Sequence, residues 1–309
     1  MSLVVVGSIA FDAVKTPFGE RERMLGGSAV HFSLAASFFT DVRVVGPVGD
    51  DFGDAEYDVL HQRGVNTEDI DHVPGGKTFF WQGRYEYDLN TAHTEDTQLG
   101  VFGEFEPKLS HGSRSANTVF LANIQPDLQR RVREQCEAAR LVGLDSMNFW
   151  IQTARDSLVQ TISGVDLVLM NDAEVRMLTE EANLVRAARK LIDLGPRAVV
   201  AKQGEYGAAL YSREAFFALP AYPLETVIDP TGAGDSFAGG FLGYLDSQGP
   251  GAAEDEGELR RAMTYGSVLA SFNVEEFGTE RVRRLTREEI DERFAEFKRM
   301  TTFEEVAAR

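Results

Sequence analysis

Residues 3–6 form an uninterrupted apolar run that Gly7 stops. Such a run marks a strand buried on both faces. After Gly26 and Gly27, the residues Phe32, Ala35, Ala36 and Phe39 recur at the spacing of one helical face,. Residues 42–45 return to a strand pattern, which Gly46 and Pro47 are expected to end. The alternation then repeats, with a strand at 118–122, a helix at 127–140, strands at 141–144 and 165–170, a helix at 182–194 and a strand at 198–201. On the last of these helices Leu184, Ala187, Ala188 and Leu191 share a face. Strands alternating with helices of about 10–15 residues require βαβ units. The pattern therefore predicts an α/β fold, a doubly wound and mostly parallel sheet flanked by helices.

One stretch departs from this rhythm. Residues 78–88 are aromatic and β-branched with polar residues interleaved, a composition suited to antiparallel strands outside the main sheet,. With the segment near 10–24 it is expected to form a small β lid on a single domain spanning 1–309, the lid drawing on about 10–24 and 76–100. An ordinary edge hairpin is the alternative.

Charge narrows the partners. The 309 residues carry 49 acidic against 31 basic side chains, a net charge of −18. A surface of that sign repels nucleic acid and an anionic membrane, so neither is expected as a partner. Only six of the basic residues are lysine. That balance fits an ordinary acidic enzyme, or one kept soluble by self-repulsion in concentrated salt. The single Cys136 excludes an internal disulfide, and no apolar run approaches the roughly 18 residues of a membrane span,. No basic-then-apolar leader opens the chain, and a cytoplasmic enzyme is expected.

The strongest chemical signal lies at 226–241, TVIDPTGAGDSFAGGF. A strand at 225–228 is expected to run into Asp229, Pro230 and Thr231, then a glycine turn at Gly232, Ala233 and Gly234. Asp235 and an apolar helix follow, with Phe237, Phe241, Tyr244 and Leu245 inward. Glycines there let the backbone approach a ligand, and the free amides of the first helical turn face an anion. Asp235, beside that anion, can take a proton from a hydroxyl while the amides stabilise charge on a transferred phosphoryl group. As a lone signal, Asp235 would also suit a helix cap.

Other motifs fail on spacing. The five histidines show no zinc pattern. Gly76-Lys77-Thr78 mimics the end of a phosphate-binding loop, but Asp71 stands where the first glycine belongs,. Gly232 and Gly234 do not open a dinucleotide fingerprint, because Phe237 takes the third glycine position,.

DPTGAGDSFAGGF at 229–241 resembles the C-terminal signature of the ribokinase-like (PfkB) carbohydrate kinase family. GSIAFD at 7–12, GGSAVHFSLA at 26–35, VGPVGDDFGD at 45–54, MNDAEV at 170–175 and KQGEYGA at 202–208 agree with it in the family's order. The resemblance covers roughly residues 3–295. It implies transfer of a phosphoryl group from ATP to a hydroxyl of a small sugar, with a nucleoside kinase as the alternative and a catalytically silent sugar-binding protein as a further one. Phenylalanine, tryptophan and tyrosine at 79, 81, 85 and 87 could stack on a nucleoside base, or simply hold lid hairpins or a lid-mediated homodimer together.

By that resemblance Asp235 is the general base, and the Gly232, Ala233 and Gly234 amides form the anion hole. Asn171 and Glu174 organise Mg²⁺ and its waters. Lys202, Gly204, Gly207 and Thr231 border ATP, Lys202 standing where the family often has Thr and either touching phosphate or pointing to solvent. Asp229, with carbonyls near 271–278, implies a monovalent cation such as K⁺. On the acceptor side stand Asp12, expected at the end of the first strand segment, and Gly26 and Gly27. His31 replaces a common Asn, and is either a substrate contact or a packed core histidine.

Overall fold

Leu3 and Val5 face one side of the central sheet and Val4 and Val6 the other, and all four are fully buried. A strand covered on both faces has no solvated side, which is why its sequence shows no alternation. The computed structural model describes residues 2–302. Its strands are β1 (Ser2–Val6), β2 (Ala10–Thr16), β3 (Gly19–Gly26), β4 (Asp41–Val48), β5 (Asn66–His72), β6 (Phe79–Tyr85) and β7 (Ala92–Gln98). They continue with β8 (Thr118–Leu121), β9 (Leu141–Leu144), β10 (Leu167–Asn171), β11 (Ala198–Lys202), β12 (Ala208–Ser212) and β13 (Phe216–Leu219).

The main sheet has nine strands in the order β13-β12-β11-β10-β9-β8-β1-β4-β5. Every pairing from β5 across to β11 is parallel, and β12 and β13 finish that edge antiparallel. On one face the helix Ala233–Gln248 packs between Ser28–Ala36 and Glu256–Asn273. The other face is covered by Pro126–Gln135, Arg155–Ile162 and Leu184–Asp193, through residues such as Val132, Leu158 and Leu191. This is the doubly wound, mostly parallel α/β architecture read from the alternation. Among the described residues no helix is long and apolar enough to cross a membrane.

Several boundaries differ from the sequence pattern. Strand β4 does not end at Gly46-Pro47: Gly46 pairs with Ile70 and Pro47 with Asp71 in β5. Its ladder with β1 has already ended at Val45, so Pro47, which lacks an amide, lies where β4 has one strand neighbour instead of two,. The helix expected at 127–140 ends at Gln135, and Phe39 lies beyond the end of Ser28–Ala36. Residues 225–228 form no strand. The Ile228 and Asp229 amides both reach the Val274 carbonyl, at 2.8 and 3.4 Å, and Pro230 has no amide with which to extend a ladder,.

A second, four-stranded sheet has the order β3-β2-β6-β7. Its two hairpins, β2–β3 and β6–β7, are antiparallel, but the seam between β2 and β6 is parallel, with Ala10 opposite Phe79 and Asp12 opposite Trp81. The antiparallel expectation therefore fails at that seam. Asp12 is also not at the end of the first strand. It lies inside β2 of this second sheet, where the pairing with β3 shifts register.

Candidate active site

In a parallel sheet, ligands bind beyond the carboxyl ends of the strands. Here those ends deliver Asp145 just after β9, Asn171 closing β10 and Lys202 closing β11, on three adjacent strands. The helix Ala233–Gln248 starts against the same edge. Its N-cap, Gly232, has φ +76°, and a Cβ there would lie 2.4 Å from the His31 ring. Glycine is thus required at Gly232 by both backbone conformation and space. The Ala233 amide donates to the Pro230 carbonyl at 3.2 Å, whereas among the described residues the Gly232 and Gly234 amides meet no backbone acceptor. Of the three amides proposed as an anion hole, two are therefore uncommitted.

Asp235 lies in the first turn of that helix. Burial, reinforced by the Asp145 carboxylate and opposed by Lys202, pushes Asp235 up to about 7. Lys202 does not point to solvent. Its Nζ donates to Asp145 Oδ2 at 2.7 Å and lies 2.9 Å from the place a Cβ on Gly234 would occupy. Burial works against its charge, but Asp145, Glu174 and Asp235 hold its pKa above the ordinary lysine value. Asp145 is 5% exposed and also accepts from the Ser146 amide. Nothing in the strand pattern marked Asp145 beyond its place after an apolar run.

Asn171 and Glu174 form a reciprocal cap. Asn171 Oδ1 accepts from the Glu174 amide at 2.8 Å, and Glu174 Oε2 accepts from the Asn171 amide at 2.9 Å. Glu174 is buried, and burial together with Asp145 raises its pKa. One lysine thus serves three carboxylates, Asp145 and Glu174 buried and Asp235 half-buried. Carboxylate oxygens in excess of the one ammonium are the hard ligands a divalent cation takes, with water completing its shell,. Gly204 and Gly207 carry positive φ in the turn between β11 and β12. That turn meets the connection between β6 and β7: Asn90 Nδ2 lies 3.4 Å from Glu205 Oε1.

The acceptor-side residues converge from elsewhere. Asp12 is 5% exposed, and its Oδ2 lies 1.9 Å from where a Cβ on Gly26 would sit, so only glycine leaves room for it. Burial and then Asp229 push Asp12 up to about 7, against a hydrogen bond from the Gly27 amide. His31 is 2% exposed, and burial lowers it to about 4, so the ring is neutral. Its Nδ1 lies 3.0 Å from Asn273 Oδ1, a partner with no sequence signal. Asp229 accepts from the Thr231 amide at 2.9 Å and the Gly278 amide at 3.0 Å, which clamps the segment after the helix Glu256–Asn273 to the turn. Tyr85, from β6, reaches in from the second sheet to within 3.2 Å of Thr231 Oγ1. Trp81 lies over Gly83 of its own strand and donates to Thr94, while Tyr87 is 89% exposed.

The model of the pfkB family carbohydrate kinases matches residues 2–284. The chain belongs to that family. The pfkB kinases are phosphotransferases, and the chain is a carbohydrate or nucleoside kinase of this type. It is 31% identical over 252 residues to a cytidine kinase of Thermococcus kodakarensis, covering 79% of this chain and 88% of that one. It is 25% identical over 310 residues to a nucleoside kinase of Methanothermobacter thermautotrophicus, covering 90% and 91%. Two solved structures share the fold. A Burkholderia thailandensis nucleoside kinase in complex with inosine has TM-score 0.78 at 21% identity, covering 95% and 97% of the two chains. A Giardia lamblia ribokinase has TM-score 0.79 at 20% identity, covering 96% and 99%.

Proposed function

We propose that the chain is an ATP-dependent kinase that phosphorylates a ribosyl hydroxyl of a nucleoside. The observation that carries the chemistry is Asp235, a half-buried carboxylate pushed up to about 7, one residue from an uncommitted glycine amide at the start of a long helix. A base poised near neutrality, at the positive end of a helix, suits proton removal from a hydroxyl beside an anion.

The acceptor hydroxyl gives its proton to Asp235 as its oxygen bonds to the γ-phosphorus, and the bond from that phosphorus to the β,γ-bridging oxygen breaks to release ADP. The Gly232 and Gly234 amides and the Lys202 ammonium meet the charge on the moving group. Mg²⁺, when bound, neutralises the nucleotide phosphates, and Asn171 and Glu174 would hold it through its waters. Gly204, Gly207 and Thr231 border the nucleotide. Asp12, with Gly26 and Gly27 against it, clamps the acceptor, and the second sheet closes over it as a lid through Tyr85. Asp229 is a buried carboxylate whose hydrogen-bond partners are backbone amides, and we assign K⁺ to its neighbourhood.

The nucleoside acceptor is favoured by the cytidine and nucleoside kinases among the relatives. A free sugar is the second reading, because Asp12 would clamp the same ribosyl hydroxyls in ribose itself. In either case we take the acceptor to be unphosphorylated: Ser28, not a lysine, follows Gly26 and Gly27, and Arg84 of β6 is paired with Glu86 and Glu95. The test is an ADP-release screen over nucleosides, pentoses and hexoses, with and without K⁺. Fastest turnover is expected with a nucleoside. Release no faster than with ATP alone, for every acceptor, would leave a silent binding protein instead.

A further inference from the structure

Asn273 is the last residue of Glu256–Asn273 and is fully buried. Its Nδ2 donates to the Thr231 carbonyl at 2.7 Å. A carbonyl only accepts, so the amide orientation is fixed and Oδ1 faces the other way. There Oδ1 lies 3.0 Å from Ser236 Oγ and 3.0 Å from His31 Nδ1. An amide oxygen offers lone pairs alone, so His31 must carry its hydrogen on Nδ1. Its Nε2 is then a bare lone pair, and among the described residues that atom is buried without a partner.

One side chain therefore grips three parts of the site. It holds the Thr231 turn that leads into the glycine cradle, the first turn of the Asp235 helix through Ser236, and the ring that packs against Gly232. We infer that Asn273 is a positioning residue that joins the acceptor side of the site to the anion cradle and fixes His31 as an acceptor at Nε2. The pocket then favours a ligand that donates a hydroxyl hydrogen to that nitrogen. The acceptor half of this inference rests on the kinase reading; the tautomer half does not.

The test is ¹⁵N NMR of histidine-labelled protein at pH 7. In the free protein His31 is expected to show the Nδ1-protonated neutral tautomer, and an Nε2-protonated signal would overturn the inference whether or not the protein is a kinase. Cytidine, adenosine and ribose are then added in turn. The probe that turns over is expected to shift the His31 Nε2 resonance, and saturation by that probe without a shift would overturn the acceptor half. Asn273→Leu is expected to mix the two tautomers and lower kcat about tenfold or more, with KM for ATP changed less than about threefold. An Asn273→Leu variant that folds, keeps wild-type kcat and retains one tautomer would refute the positioning role.

Discussion

Lys202 donates a 2.7 Å hydrogen bond to Asp145, and the same ammonium fills the space that a side chain on Gly234 would need. Two strand ends and a helix start are joined by one largely buried cation. Both side chains are nearly out of solvent, at 16% and 8% exposure, so the pair is not screened as a surface ion pair would be,.

Lys202→Met leaves the Asp145 carboxylate buried without its partner. A stability loss of about 3–5 kcal/mol is expected, read from denaturant unfolding. Much of it should return in the double variant Lys202→Met, Asp145→Asn, because no charge is then stranded. A double variant as unstable as the sum of the two single ones would show that the pair is not coupled.

Asp235→Asn keeps the size of the side chain and removes its capacity to take a proton. Turnover is expected to fall by about 10²- to 10⁴-fold, while ATP binding by calorimetry stays near wild type. Turnover at the wild-type level in that variant would end the general-base assignment.

Asp12 and Asp235 both sit near 7 in the fold, well above the ordinary 3.8 of an unfolded aspartate. Between those values the folded chain holds protons that the unfolded chain releases, so these groups lose stability as pH rises from about 4 to 7 and change little above it. Asp12→Asn cannot titrate. Measured without Mg²⁺, wild-type stability should fall relative to that variant across this window, by at most about 1.4 kcal/mol per pH unit. A pH-independent difference would remove the shift at Asp12. In catalysis the sign reverses: kcat/KM should rise with pH through about 7 as Asp235 loses its proton.

The sequence made the main sheet legible because burial on both faces leaves continuous apolar runs, as in Leu3 to Val6. The glycine turn was legible because Gly232, Asp235 and the apolar face behind them are close in the chain. Asp145 and Asn273 were not, since their roles arise from contacts 57 and 242 residues away, to Lys202 and His31. The expected strand at 225–228 failed for a related reason. Its residues are suited to a ladder, but the partner the fold supplies is the single Val274 carbonyl.

The parallel seam between β2 and β6 has a consequence for folding order. Parallel neighbours cannot be joined by a tight turn. Between Ala10 and its partner Phe79 the chain must first lay down β3, the helix Ser28–Ala36, β4, a further helix at Asp54–Gln62 and β5. Each hairpin of the second sheet is local and closes quickly, but the seam carries the loop-closure cost of everything between its strands and forms late. Asp12 lies on that seam opposite Trp81. Until that seam zips, Asp12 has no place opposite Trp81, so on the proposed reading assembly of the acceptor side waits on a long-range pairing and not on either local hairpin,.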